Sequence, residues 1–336
     1  MKFLIVGLGS MGKRRIRNLR ALGENDVIGF DVQPQRREEA HQKYGLKAFP
    51  TFEEALSQKP DAVIVSTPPD RHMPYAMEAA RRNLHFFIEA SVVLDGIEDL
   101  ITECKGRNVV AAPSSTMRFN PSIQTMKRLV EQEAIGKILA FNYHCGQYLP
   151  DWHVYEDYRT YYVSKRATGG CREIVPYELS WITWMLGPVK SLSCMKGRLS
   201  RLEADIDDIY QVLLQLENGI LANFQIDVIA RVPYRYFKAI SEEGVMIWDW
   251  ERRLVRVYNA STKEWKDYQQ EKGIAVEGYV LEEDMYIKEM EHFIGAIKGE
   301  HRYMYTLEDD KRILELLYAA DRSAIDKVQV DVSKGE

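Results

Sequence analysis

Three glycines and one carboxylate near the start of the chain carry the clearest chemical signal. Gly7-Leu8-Gly9-Ser10-Met11-Gly12 follows the short apolar run Lys2-Phe3-Leu4-Ile5-Val6 and precedes a basic, helix-prone stretch at 13–22. A buried parallel strand that ends in G-x-G-x-x-G and opens a helix is the dinucleotide-binding fingerprint. Gly7 allows the tight turn, Gly9 lets the backbone approach a pyrophosphate, and Gly12 lets the helix pack against the strand. At Ser10 and Met11 the helix N-terminus presents N–H groups to the phosphates. Val27-Ile28-Gly29-Phe30 reads as a second strand and delivers Asp31, nineteen positions after Gly12. That spacing suits a carboxylate accepting from the adenosine ribose hydroxyls. Asp31 favours NAD, because a carboxylate there repels a 2′-phosphate, while Arg36 and Arg37 leave room for NADP. The basic residues between 13 and 20 read as a solvated helix face with one member near the pyrophosphate.

The elements that must hold this loop follow in order. Residues 35–44 read as a helix and 47–49 as a strand, and Thr51 with Glu54 forms a capping box for a helix to 58. Residues 61–66 form a buried strand broken by Thr67-Pro68-Pro69. Ligands in doubly wound sheets sit beyond the C-terminal strand ends, so Thr67 and Pro68 are expected near the nicotinamide half. His72 stands at the next helix start, where it packs or caps and approaches the nicotinamide ribose. A strand at 85–88 ends in Glu89-Ala90-Ser91. A helix at 96–105 and a strand at 109–112 complete a dinucleotide-binding domain at 1–120.

The remainder, 121–336, changes character. It reads as an α+β domain for substrate binding and oligomerisation, built on a large open, mainly antiparallel sheet. Strands are expected at 138–144, 189–196, 209–216, 220–229, 236–241, 245–249 and 254–258, with helices at 169–185, 282–298 and 307–325. The aromatic, charged segment 148–166 lacks periodicity and reads as a loop laid over a site. The fold class is thus an α/β Rossmann domain with a parallel doubly wound sheet, followed by the α+β domain.

Bulk properties exclude several classes. A length of 336 residues suggests two domains. The net charge of −5, with no long basic face, argues against a nucleic-acid partner. Cys104, Cys145, Cys171 and Cys194 have no ligand spacing, so neither a metal site nor a disulfide framework is expected, and a reducing compartment is favoured. With no signal-peptide pattern at the start and no run near the ~18 apolar residues of a membrane span, the expectation is a cytoplasmic protein without a membrane partner.

Together these residues resemble the glucose–fructose oxidoreductase / inositol dehydrogenase (Gfo/Idh/MocA) family nearly end to end. The likeness rests on Gly7 to Gly12, Asp31, Thr67-Pro68 with His72, Glu89-Ala90-Ser91, Arg118-Phe119-Asn120-Pro121, Ile135-Gly136-Lys137 and the Gly169-Gly170 helix. It implies an NAD(P)-dependent oxidoreductase acting on a hydroxyl or keto group of a sugar or nucleotide-sugar, forming homodimers or homotetramers through the open sheet face. The stretch Tyr148-Leu149-Pro150-Asp151-Trp152-His153 resembles members found with bacterial surface-glycan and nonulosonate biosynthesis. Two departures stand out. The family's strand-end lysine is replaced by Ala90, and its helical Asp and His by Glu173 and Tyr177.

Oxidising a secondary alcohol needs a base at the hydroxyl. Tyr177 can serve if a cation lowers its pKa, with Lys165, Arg166 or Arg172 as that cation. Glu173 lies one turn before Tyr177 on the same face, whereas Glu178 does not. His153 and His144 are further proton carriers. Arg118, Arg159, Arg172 and Trp152 are expected to bind substrate, through charge or ring stacking, and Glu89 to line the cofactor site. Three alternatives stay open: a redox-neutral epimerase or lyase using tightly bound NAD, a non-catalytic dinucleotide-binding or regulatory member, and an interaction scaffold without cofactor, which would leave Asp31 and the loop glycines idle.

Overall fold

The computed structural model describes residues 1–152 and 156–333. The chain divides into two compact units, Met1–Thr116 with Glu283–Lys311, and Met117–Glu282 with Arg312–Glu336.

In the first unit, β1 (Phe3–Val6), β2 (Val27–Phe30), β3 (Lys47–Phe49), β4 (Ala62–Val65), β5 (His85–Ile88) and β6 (Ala111–Pro113) form one parallel sheet. The order β3-β2-β1-β4-β5-β6 is that of a doubly wound dinucleotide fold. The strands β1, β2 and β4 are buried at every position, as expected where helices cover both faces. The connecting helices are α1 (Ser10–Ala21), α2 (Pro34–Tyr44), α3 (Phe52–Leu56), α4 (His72–Arg81) and α5 (Ile97–Cys104). Thr51 caps α3 as expected, accepting from the Glu54 N–H and donating to the Glu54 carboxylate. Order reverses between β1 and β4, which places the glycine loop and Thr67 at adjacent strand ends.

The second unit opens with α6 (Pro121–Glu131), a helix the sequence reading leaves out although Asn120 caps it and Pro121 starts it. It continues with β7 (Ala140–Tyr148), α7 (Cys171–Leu186), β8 (Val189–Gly197), β9 (Ile209–Leu216), β10 (Leu221–Asp227), β11 (Ile229–Ile240), β12 (Gly244–Asp249), β13 (Leu254–Asn259) and β14 (Glu264–Gln269). α8 (Asp284–Ile297) belongs to the first unit, α9 (Leu307–Asp326) begins there and ends in the second, and β15 (Val330–Asp331) closes the second. The sheet order is β14-β13-β12-β11-β7-β10-β9-β8-β15. It is antiparallel throughout, except that β7 and β10 pair parallel.

Strand alternation sends Tyr143, Phe237 and Phe224 to one face, where Tyr143 packs edge-on to Trp181 of α7 at 5.4 Å between ring centroids. The other face leaves Leu213, Leu221 and Tyr236 exposed beside Asn142 and Asn223.

Three expectations change. The division at 120 omits the return of Glu283–Lys311, which carries α8 against α1 in the first unit. The strand expected at 220–229 ends at Asp227, and β11 begins at Ile229, seven residues before the expected start at 236. A register shift between Ile229 and Tyr234 hides its first half from a period-two reading. The segment 148–166 is not shapeless: β7 runs to Tyr148, and short 3₁₀ turns follow at Leu149–Asp151, Tyr158–Thr160 and Tyr162–Ser164.

Candidate functional site

The glycine loop has the geometry of a phosphate cradle. Gly7 sits at φ +91°, and a Cβ there would lie 2.7 Å from the Ser66 carbonyl oxygen. A Cβ at Gly12 would lie 1.9 Å from the Gly7 oxygen, so strand and helix meet only because both residues are glycine. Gly9 is different: only the Arg36 guanidinium, at 3.5 Å, approaches the position of its missing Cβ. No side chain caps α1 and its first turn carries no acid, leaving that end suited to an anion. These features fit a dinucleotide pyrophosphate held at the Gly9, Ser10 and Met11 backbone.

Asp31 is buried and fixed. Its Oδ2 accepts from the Leu8 N–H at 2.8 Å and its Oδ1 from the Gln33 N–H at 2.8 Å. Arg36 Nη1 stands 3.8 Å from Oδ2, and Arg37 donates to the Asp31 carbonyl. The carboxylate is therefore held beside the loop, with lone pairs left for a ribose diol. Arg36 is the cation at that position.

At the ends of β4 and β5 the structure replaces a solvated basic face with a buried charge network. Arg15 donates through Nε and Nη2 to Glu89 at 2.7 and 2.8 Å, and through Nη2 to Glu289 of α8 at 2.9 Å. Glu289 also accepts from Ser114, the Ser115 N–H and Thr116 at the end of β6. Arg14 pairs with Glu283 at 2.9 Å. The expectation that this helix face is solvated fails because 283–311 brings two carboxylates onto it. Glu89 is thus held by Arg15 and by Ser66 at 3.2 Å. His72 is buried, its Nε2 2.8 Å from the Thr67 carbonyl oxygen, and burial pushes its pKa down, favouring the neutral ring. His72 Nδ1 and Thr67 Oγ1 are buried without hydrogen-bond partners, two groups of the kind a bound ligand satisfies.

In the second unit, α7 carries the proton-handling candidates. Glu173 accepts from the Tyr162 hydroxyl at 3.0 Å, and its Oε2 is buried without a partner. Burial pushes its carboxyl up to about 7 against the pull of the Tyr162 bond. Tyr177 lies one turn on and Trp184 two further, all three partly covered along one helix face. Glu178 points the other way, into the core. It accepts from Tyr143 at 2.6 Å, Trp181 at 2.7 Å and Arg235 of β11 at 2.8 Å.

Two of the three cations expected beside Tyr177 have carboxylate partners of their own. Arg172 pairs with Asp321 and donates to the Ala167 carbonyl. Arg166 pairs with Asp205 and Asp207, and Lys165 is exposed. Arg235, absent from the sequence reading, is a cation that has Tyr177 within electrostatic reach. Arg118 is buried, donating twice to the Ser180 carbonyl at 3.2 and 2.9 Å, 5.6 Å from the Trp184 ring. Arg159 forms exposed pairs with Asp157 and Glu203. Trp152 buries its indole N–H without a partner. His144 faces away from α7, pairing with Asp227 at 2.7 Å and meeting Tyr234. His153 lies outside the described residues. The cysteines are free, and burial pushes Cys104 up to about 11 and Cys145 and Cys194 up to about 12, so they are poor nucleophiles. Among the described residues no helix is long and apolar enough to cross a membrane.

Comparison with known proteins agrees with this architecture. The family model described as "Oxidoreductase family, NAD-binding Rossmann fold" matches residues 1–114, and "GFO/IDH/MocA C-terminal domain" matches residues 123–247. Myo-inositol 2-dehydrogenase of Thermotoga maritima is 24% identical over 99% of both chains. Levoglucosan dehydrogenase of Pseudarthrobacter phenanthrenivorans is 22% identical over 69% of this chain and 67% of its own. The 2,7-anhydro-N-acetylneuraminate hydratase of Escherichia coli is 23% identical over 66% and 60%. A levoglucosan dehydrogenase structure in complex with NADH and levoglucosan superposes with a TM-score of 0.86 at 18% identity, over 99% of this chain and 100% of that one. The WlbA dehydrogenase from Bordetella pertussis, in complex with NADH and UDP-GlcNAcA, gives 0.80 at 19% identity over 99% and 97%. With the NAD-binding cradle and the nine-stranded sheet already in place, these matches show that the chain belongs to the Gfo/Idh/MocA oxidoreductase family.

Proposed function

We propose that the protein is an NAD-dependent oxidoreductase acting on a hydroxyl or keto group of a sugar or nucleotide-sugar, with Glu173 handling the proton. The observation that carries this reading is the Glu173 carboxyl. It is buried, hydrogen-bonded on one oxygen and bare on the other, and poised at about 7. A group tuned near the working pH is an efficient general base or acid. Dinucleotide chemistry supplies the hydride acceptor or donor when the cofactor is bound. The residues of the chain bind it at Gly7, Gly9, Gly12 and Asp31, orient it near Thr67, Pro68 and His72, and move the hydroxyl proton at Glu173 and Tyr177. Relatives that act on sugars, and one solved with a nucleotide-sugar, support this substrate class. A role in bacterial surface-glycan or nonulosonate biosynthesis is the narrower form of the same proposal.

Calorimetric titration of NAD, NADH and NADPH tests the cofactor half. NAD(H) should bind, and Asp31→Ala should weaken it about 10- to 100-fold by removing a charge-assisted pair of ribose contacts. Because Arg36 would remain, NADPH binding should change less. Undiminished NAD affinity in the variant would remove Asp31 from the site.

A second reading has its own support. A carboxyl near 7 can both take and return a proton, and a relative is named a hydratase. In that version NAD is reduced and reoxidised within one turnover. Cofactor retained through purification, with product formed and no net NADH, would select it. The open sheet face, with Leu213 and Leu221 exposed, is the proposed surface for a homodimer or homotetramer. Light scattering should return at least twice the chain mass, and a monomer at micromolar concentration would refute it.

A further inference from the structure

Tyr162 reaches Glu173 from a segment that closes tightly on itself. It begins the 3₁₀ turn Tyr162–Ser164, and its hydroxyl donates to Glu173 Oε1 at 3.0 Å, in the first turn of α7. Its carbonyl accepts from the hydroxyl of buried Thr168 at 2.9 Å. The Thr168 and Gly169 N–H groups both return to the Lys165 carbonyl, at 3.1 and 2.8 Å. A Cβ at Gly169 would lie 2.2 Å from the carbonyl oxygen of Val163, a fully buried residue. Residues 162–169 therefore form a closed loop directly before α7. The loop is also fastened from outside. The Asp205 N–H donates to the Ser164 carbonyl at 3.0 Å, beside a bridge between Lys165 and Asp205. Arg166 pairs with both Asp205 and Asp207, and buried Asp207 pairs in turn with Lys196 of β8 at 3.0 Å. Half-exposed ion pairs stabilise little, so the contribution of Arg166 is to geometry.

Two influences act on the Glu173 carboxyl: burial, which pushes its pKa up, and the Tyr162 bond, which pulls it down. Its neighbour Arg172 pairs with Asp321, and Tyr177 lies one turn along α7. We propose that Tyr162 is the positioning residue of the Glu173 carboxyl, and that the loop 162–169 is the clamp that holds it, with Arg166 as the outer fastening. By occupying Oε1, the phenol leaves Oε2 as the oxygen that exchanges the proton. When a hydroxyl is oxidised, its O–H proton passes to Oε2, and the electrons of the adjacent C–H bond leave as hydride to the dinucleotide. Tyr162 keeps its own proton throughout. The proton step rests on the oxidoreductase reading; the clamp does not.

The infrared C=O stretch of protonated carboxyls, parent minus Glu173→Gln, follows this carboxyl without any turnover. In the parent it should vanish as pH rises through about 7. Tyr162→Phe removes the donor, so the stretch should move to higher frequency. The midpoint should rise by about one pH unit, because a charged acceptor holds a hydrogen bond more strongly than a neutral one. Arg166→Gln should move the midpoint the same way by a smaller amount, and Asp207 keeps Lys196, so no buried carboxylate is stranded. Arg166→Lys should restore part of that shift, and in the Tyr162→Phe background Arg166→Gln should add none. A merely structural Arg166 would lower the melting temperature and leave the midpoint alone. Circular dichroism checks that each variant is folded, and Tyr162→Phe decides if an Arg166 variant is not. A midpoint unmoved in Tyr162→Phe, or moved there and unmoved in folded Arg166→Gln, overturns the clamp. Midpoint shifts in a protein that turns over no sugar uphold the clamp and refute the oxidoreductase reading. Turnover whose pH limb stays in place in both variants does the reverse.

Discussion

Arg15→Met should destabilise the first unit by about 3–5 kcal/mol, the range for breaking a buried ion pair from one side. Among the described residues Arg15 is the one cation that both Glu89 and Glu289 touch, and all three are buried. Methionine fills much of the same space against Phe87 and Tyr286, whose rings lie 4.5 and 5.4 Å from the guanidinium carbon. The loss is therefore chiefly electrostatic. Burial already pushes the Glu289 carboxyl above the usual range, with Arg15 and the Thr116 bond opposing. Removing Arg15 raises it further. A carboxyl whose folded pKa lies above its unfolded value binds an extra proton in the native state, so it stabilises at low pH and that contribution disappears as pH rises. The variant's deficit should accordingly be larger at pH 8 than at pH 5. Denaturant unfolding followed by circular dichroism at both pH values measures it. A midpoint at pH 8 indistinguishable from the parent would show that this network contributes nothing to the fold.

That network also marks where the sequence stops being legible. The glycine loop, Asp31 and the alternation of β1 to β6 with their helices were readable because each depends on local spacing. The apolar runs are short and continuous, and turn residues punctuate them. Arg15 was misread because its partners lie more than seventy positions away at Glu89 and about 270 away at Glu289, and no local pattern announces a helix that returns from the far end of the chain. Arg235 was missed for a different reason. Counting back in twos from Phe237 puts it on the buried face, but a strand that begins at 236 starts one residue too late to include it. The Pro233 in β11 and the register shift beside it disguise the strand's beginning. Glu178 carried a legible clue: it lies four residues after Ile174 and three before Trp181, on the apolar stripe of α7. A carboxylate on such a stripe implies a buried cation, and Arg235 is that cation.

Glu173→Gln should make the protein more stable at pH 8 and much less active. In the folded state the carboxyl titrates at about 7, well above its ordinary 4.5. Between those values the native state holds a proton that the unfolded chain has released, so Glu173 lowers stability progressively as pH rises from about 4.5 through 7. Above that window its cost is on the order of 3 kcal/mol, about 2.5 pKa units at 1.36 kcal/mol each. Glutamine stays neutral at every pH and can still accept from Tyr162, so the variant should match the parent at pH 5 and exceed it at pH 8. In the alcohol-oxidising direction, parent kcat/KM should rise with an apparent pKa near 7, as the base loses its proton. The variant should lose that limb, with kcat/KM down about 10²- to 10⁴-fold. Melting curves at the two pH values and a pH–rate profile make the two measurements. Stability gained without loss of activity would leave Glu173 a buried acid with no part in the chemistry and move the proton to Tyr177 alone. Activity lost without any gain at pH 8 would mean that the carboxyl is not buried as a neutral acid. A group that weakens the fold at working pH, yet sits bare-edged beside Tyr177, is what a stability–function trade-off looks like at a single residue.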